Sequence, residues 1–140
     1  MALSAGKLEV GETFSAVVVE DLKRTQIVQY AGASGDYNPL HTDEVFATQA
    51  AGYPSVFAHG MLTMGMTGHM VTDLVGDGRL TEFGGRFTSQ VYPGDDLTTT
   101  ARVEAITDVG GEPVVELSLS TANQDGAEVF SGHATARLDP

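Results

Sequence analysis

The sequence predicts an α+β domain, an antiparallel sheet wrapped around one long central helix, and three observations carry that reading. Behind Gly60, the residues Met61, Leu62, Met64, Met66, Met70, Val71, Leu74 and Val75 recur at helical spacing over a stretch too long for a strand. From Leu80 onward the apolar period changes to two. The period-two segments are separated by Pro93-Gly94-Asp95, Gly110-Gly111 and Asn123-Gln124-Asp125-Gly126, compositions that close hairpins. One helix followed by a run of hairpin-linked strands packs as a helix against one face of a sheet.

Taken in order, the first element is a strand from Thr13 to Glu20, where Phe14, Ala16 and Val18 alternate with their neighbours. Thr25 is placed to cap a short helix running through Ala33. Thr42 is placed to cap another, with Asp43 and Glu44 in its first turn complementing the helix dipole. Gly52-Tyr53-Pro54 breaks the chain before the long helix from Gly60 to about Val75. Strands are expected over Phe83 to Val91, Asp96 to Ile106, Pro113 to Ala122 and Ala127 to Leu138.

Between the two short helices lies the stretch Tyr30-Ala-Gly-Ala-Ser-Gly-Asp-Tyr-Asn-Pro-Leu-His41. Pro39 has no N–H for an interior helical turn and drives Asn38 towards an extended conformation, so Asp36 and His41 fall on one folded-back loop. A carboxylate and an imidazole aimed at one point suit general acid/base chemistry, because the unperturbed imidazole pKa of about 6.5 lies near the working pH. The same residues also describe a plain Asx turn with His41 at the surface. The segment Phe57-Ala-His-Gly-Met-Leu favours the chemical reading. Helix N-terminal amides lack internal partners, and the amide of Gly60, with no side chain in front of it, is a candidate oxyanion donor. His59 supports the site, while the methionines beyond the first turn belong to core or to a yielding apolar channel.

Three segments in this order and spacing resemble the MaoC-type, hydratase-2-like enoyl thioester hydratases. They are Gly35-Asp36-Tyr37-Asn38-Pro39-Leu40-His41, Ala58-His59-Gly60-Met61-Leu62, and Arg86-Phe87-Thr88 with Val91-Tyr92-Pro93-Gly94-Asp95. Among family members the chain is most similar to actinobacterial (R)-3-hydroxyacyl-carrier-protein dehydratase subunits. The resemblance implies a single MaoC-like hot-dog domain over residues 1–140. It implies catalytic roles for Asp36 and His41, an oxyanion amide at Gly60, and supporting roles for Asn38 and His59. Arg86, Met61 and Met64 are candidates for substrate contact. Some relatives carry a serine where Gly68 stands here, so Thr67 or His69 must replace that hydroxyl or it is dispensable. The family also implies edge-to-edge pairing of two subunits, as a homodimer or with another hot-dog chain.

Composition is compatible with this. The chain has 140 residues, enough for one domain with its own core, and no linker or repeat divides it. It contains no cysteine, which excludes disulfides, thiolate metal sites and a cysteine nucleophile. No metal and no separate cofactor is expected, coenzyme A or phosphopantetheine being part of the substrate. The absence of a long apolar run or a leader-like start leads us to expect a cytoplasmic protein without membrane partners. A net charge of −12 with only seven basic residues argues against nucleic acid. The same charge repels phosphates and acidic carrier proteins, so a local basic rim is needed, with Arg86 first and Arg79, Lys23 and Arg24 behind it.

The expected reaction is reversible hydration of a trans-2-enoyl thioester to the (R)-3-hydroxyacyl thioester, with coenzyme A or a carrier protein on the thiol side. Two other readings compete. A hot-dog thioesterase would attack the carbonyl carbon instead, and a non-catalytic subunit would have lost the pair that is intact here.

Overall fold

The computed structural model describes residues 2–140. Five strands form one antiparallel sheet: β1 (Thr13–Val19), β2 (Leu80–Phe87), β3 (Leu97–Val109), β4 (Glu112–Ala122) and β5 (Glu128–Arg137), in the spatial order β1-β3-β4-β5-β2. Helix α2 (Gly60–Val75) lies against one face, and the shorter α1 (Arg24–Ser34) precedes it. This is the hot-dog arrangement. The strands after α2 begin and end within a few residues of the expected bounds, except that β2 starts at Leu80 and stops at Phe87. Beyond it the chain leaves the ladder, and the hydroxyls of Thr88 and Ser89 instead donate to the carbonyl of Glu128 at 2.7 and 2.9 Å.

Both expected caps move by a residue or two. The backbone N–H of Lys23 donates to Oε1 of Gln26 at 2.9 Å, so α1 opens at Lys23 and Thr25 lies inside its first turn. Thr42 caps nothing. The Oδ1 of Asp43 accepts from the N–H of Phe46 at 3.1 Å, and the following turn is a short π-helix, Phe46–Ala50. A carboxylate beside the first turn is the stronger acceptor for an orphan amide.

The core divides in two along α2. Met70, Val71 and Val75 pack with Val103, Val115, Leu117 and Ala136 at its C-terminal half, while Leu22, Ile27, Ala58, Val91, Leu97 and Val129 pack around its N-terminal half. Between them, the fully buried hydroxyls of Thr67, Thr121 and Thr99 form a chain with 2.7 Å separations. Thr121 is the centre of this chain, and Thr121→Val leaves two buried hydroxyls short of a partner. The expected loss is about 1–3 kcal/mol of stability in urea unfolding; a loss under about 0.5 kcal/mol, the range of an inert surface change, would show that the hydroxyls re-pair.

Strands β2 and β5 pair through two glycines that have no room for a side chain. Gly85 and Gly132 face each other in register, and a Cβ on Gly85 would lie 2.4 Å from the Ser131 carbonyl and 2.6 Å from the Phe130 ring. Phe130 lies across this bare patch and is itself wholly buried. Only glycine fits at either position, and β2 runs on from Gly85 to Arg86 and Phe87.

Candidate active site

The residue that ends α1 aims the loop. Gly35 adopts φ 76°, a left-handed conformation open to glycine at no steric cost, and its N–H closes the helix on the Ala31 carbonyl at 3.0 Å. The chain therefore turns sharply into Asp36. There the Oδ1 of Asp36 accepts from the N–H of Asn38 at 3.2 Å, and the Oδ1 of Asn38 accepts from the N–H of Leu40 at 3.0 Å. Two successive Asx turns thus fix the Asp36-to-His41 geometry, the orienting part foreseen for Asn38. The loop is braced from outside by Glu44, whose carboxylate accepts from Arg24 at 2.6 Å and from the N–H of Val56 at 3.2 Å. These bonds, the Arg24 one first, hold the Glu44 carboxyl below its usual range. The brace therefore contributes above the unfolded-state carboxylate pKa and is lost as pH falls through the lowered value.

Asp36 and His41 are brought together. Oδ2 of Asp36 lies 3.9 Å from Nε2 of His41, with the imidazole only 10% exposed and the carboxylate 53% exposed. On its other side, His41 Nδ1 is 2.7 Å from the Phe57 carbonyl. A carbonyl only accepts, so Nδ1 carries the proton, and in neutral His41 the lone pair sits on Nε2, facing Asp36.

His59 completes the base of the site. It is buried, its Nε2–H donates to the Asp36 carbonyl at 3.0 Å, and its ring stacks on His41 with centroids 3.8 Å apart and planes at 24°. Its Nδ1 is buried without a partner. Asp36, His41 and His59 bring donor atoms within 4.8 Å of one another, as a metal site would. However, two stacked imidazoles point their lone pairs along near-parallel planes instead of at one centre, and the His59 lone pair is sealed from solvent. The set fits a proton-handling pair on a stacked support better than a cation.

Gly60 is the first residue of α2, with His59 as its cap. The first amide of the helix to bond back is that of Leu62, to the His59 carbonyl at 3.1 Å, so the Gly60 amide precedes the internal ladder. A Cβ here would press to 3.0 Å from the Phe87 ring. A cavity of about 270 Å³ opens beside Gly60 between Phe57, Thr63, Phe87 and Val129. The Phe57 ring that walls it also stands edge-on to His41, with centroids 5.3 Å apart.

The remaining candidates are more scattered. Met61 is 56% exposed at the start of α2, and Met64 is half-buried. Neither lines the cavity beside Gly60 or the larger groove on the β1 side of α2, which Met66 and Met70 do line. Gly68 has no room for the serine of some relatives, since a Cβ would meet the Phe83 ring at 2.9 Å. Thr67 is tied into the threonine chain and His69 is exposed, 3.7 Å from Asp73. Arg86 is exposed on the edge strand β2, whereas Lys23, Arg24 and Arg79 are paired with Asp21, Glu44 and Asp139. Sequence reasoning missed two contributors: Tyr30, whose ring meets His59 edge-on at 4.8 Å, and the backbone carbonyl of Phe57. Tyr30 opens the very motif that holds Asp36; the Phe57 carbonyl has no side-chain signal.

The chain is 30% identical over 140 residues to an (R)-specific enoyl-CoA hydratase of Aeromonas caviae, covering 97% of this chain and 99% of that one. It superimposes on the solved structure of the A. caviae (R)-hydratase involved in PHA biosynthesis with a TM-score of 0.83, at 27% identity, covering 96% of this chain and 99% of the other. It is also 45% identical over 69 residues to 3-hydroxyacyl-thioester dehydratase Y of Mycobacterium tuberculosis, covering 47% of this chain but only 24% of that longer protein. The chain spans less than a third of the length of several such relatives. The family model of the MaoC like domain matches residues 7–124, and the chain belongs to the MaoC-like domain family.

Proposed function

We propose that this protein is a lyase that reversibly adds water across a trans-2-enoyl thioester to give the (R)-3-hydroxyacyl thioester, the handedness following the similar hydratases. The observation that carries the reading is the 3.9 Å gap between Asp36 Oδ2 and His41 Nε2. It is too long for a direct hydrogen bond and suited to one water donating a proton to each acceptor. Because Nδ1 is committed to the Phe57 carbonyl, Nε2 is the free base. As the water oxygen attacks the β carbon, Nε2 takes one proton and the other stays on the new hydroxyl. The Asp36 carboxylate holds the water and stabilises the imidazolium. Charge builds on the thioester oxygen as an enolate, which the Gly60 N–H meets at the positive end of α2. The proton on Nε2 then passes to the α carbon, and the balance closes with no other reagent.

The thiol arm is coenzyme A or a carrier protein's phosphopantetheine. It is proposed to reach Gly60 from the β2 edge, where Arg86 and the exposed Phe87 and Met61 stand. The same edge, left unpaired at β2, is the natural place for a second hot-dog subunit, either a copy of this chain or another member of the fold. No described helix is long and apolar enough to cross a membrane.

The reading is tested by mixing the protein with crotonyl-CoA while following both the enoyl absorbance and free thiol. Loss of absorbance with no thiol supports hydration, whereas stoichiometric thiol would make the protein a thioesterase. Arg86→Glu is expected to raise KM far more than it lowers kcat, since a rim charge binds ground and transition states alike. The gap between mutant and wild type should narrow with salt, because such attraction is screened over about 10 Å at 0.1 M. An unchanged KM at low salt would remove Arg86 from the substrate path.

A further inference from the structure

Three residues past His41, Glu44 touches both of the segments on which the acid/base pair depends. Its Oε2 accepts from Nη1 of Arg24, the first residue of α1, at 2.6 Å, and Asp36 follows the far end of that same helix. The same oxygen accepts from the N–H of Val56 at 3.2 Å. The next residue, Phe57, is bound to the loop through both its N–H and its carbonyl. The N–H donates to the Leu40 carbonyl at 3.3 Å, and the carbonyl accepts from His41 Nδ1 at 2.7 Å. Segment 56–57 thus lies along residues 40–44 through three hydrogen bonds, the outermost of them to the Glu44 carboxylate.

The tautomer of His41 depends on that seating. A neutral imidazole carries one proton, and it stays on the nitrogen whose acceptor is better placed. Two acceptors compete for it here: the Phe57 carbonyl at Nδ1 and the Asp36 carboxylate, 3.9 Å from Nε2. A carboxylate is the stronger acceptor of the two, so the carbonyl prevails only while it is held at hydrogen-bonding distance. Were segment 56–57 to withdraw, the proton would move to Nε2, which would then donate to the water from which it must take a proton. The Arg24–Glu44 pair that prevents this is itself open to solvent, with the two side chains 55% and 45% exposed. An exposed ion pair adds little to stability, which separates its part in positioning from any part in folding.

We infer that Glu44 is a positioning residue for the reaction: anchored by Arg24, it seats Val56 so that the Phe57 carbonyl keeps His41 in the Nδ1–H tautomer. This rests on the proposed hydration at Asp36 and His41, although the tautomer is read without any substrate. Glu44 touches neither the water nor the thioester and acts only through the 56–57 segment. Its removal therefore affects the chemical step and leaves substrate binding alone.

The test pairs nitrogen-15 NMR of the neutral His41 ring with steady-state hydration of crotonyl-CoA. Glu44→Ala is expected to shift His41 from the Nδ1–H towards the Nε2–H tautomer. It should lower kcat by about tenfold or more, as loss of an orienting partner does, with KM and thermal melting little changed. Glu44→Gln keeps an oxygen for the Val56 N–H and is expected to restore both the tautomer and most of kcat. Should Glu44→Ala not fold, Arg24→Ala, which frees the carboxylate from its anchor, is expected to shift tautomer and kcat the same way by a smaller amount. An unchanged tautomer in the folded variant overturns the assignment whatever happens to kcat. So does a shifted tautomer with unaltered kcat, or a Glu44→Gln variant that behaves as Glu44→Ala. If wild type hydrates no enoyl thioester, the hydratase reading fails, while the tautomer in the variants still decides whether Glu44 positions His41.

Discussion

Asp36→Asn and His41→Gln are each expected to lower hydration of an enoyl-CoA by about 10²–10⁴-fold, the usual loss when a positioned acid or base is removed. The two substitutions fail for different reasons. Gln at position 41 has no titratable nitrogen, so the base on the far side of the 3.9 Å gap disappears. Asn at position 36 keeps the size and the Asx turn to the Asn38 amide, yet loses the negative charge that stabilises the imidazolium. Because the carboxylate is half-exposed and its turn is kept, folding should be little affected. Steady-state kinetics with thermal melting checks this, and near-wild-type turnover in either folded variant would remove that residue from the mechanism.

A large stability effect is also expected at Gly85. A Gly85→Val variant places Cβ 2.4 Å from the Ser131 carbonyl and 2.6 Å from the Phe130 ring, neither of which is the yielding end of a flexible side chain. The strands must part or Phe130 must leave its buried position. Overpacking of this kind costs typically about 1–3 kcal/mol and occasionally more, which for a domain of this size lowers Tm on the order of 5–10 °C. Since β2 carries Phe87 against Gly60, the variant should also lose activity before it melts. A Tm equal to wild type would mean that the β2–β5 approach is looser than described.

What the sequence made legible follows from which forces are local. The helix Gly60–Val75 was readable because its apolar period is long and uninterrupted. Gly35, Asn38 and Pro39 encode the loop almost by themselves, through a left-handed residue, an Asx turn and a missing N–H. The nearness of Asp36 and His41 was legible for the same reason. The caps of the short helices were misplaced because Thr25 and Thr42 compete with neighbouring side chains, Gln26 and Asp43, which reach the orphan amides better. The end of β2 was misplaced because residues 88–91 keep an alternating pattern while Thr88 and Ser89 spend their hydroxyls on Glu128. Tyr30, the Phe57 carbonyl and the β1–α2 groove depend on contacts between segments far apart in the chain, and no periodicity reports those.

The destination of the water oxygen separates addition at the β carbon from attack at the thioester carbonyl. In water enriched in oxygen-18, incubation of the wild-type protein with a trans-2-enoyl-CoA should yield a 3-hydroxyacyl-CoA with its thioester intact, the heavy oxygen in the hydroxyl and none in the carbonyl, as read by mass spectrometry. Starting from the unlabelled (R)-3-hydroxyacyl-CoA should give the enoyl-CoA and reach the same equilibrium. Heavy oxygen in a released carboxylate, with free coenzyme A beside it, would contradict the account and place the attack at the thioester carbonyl.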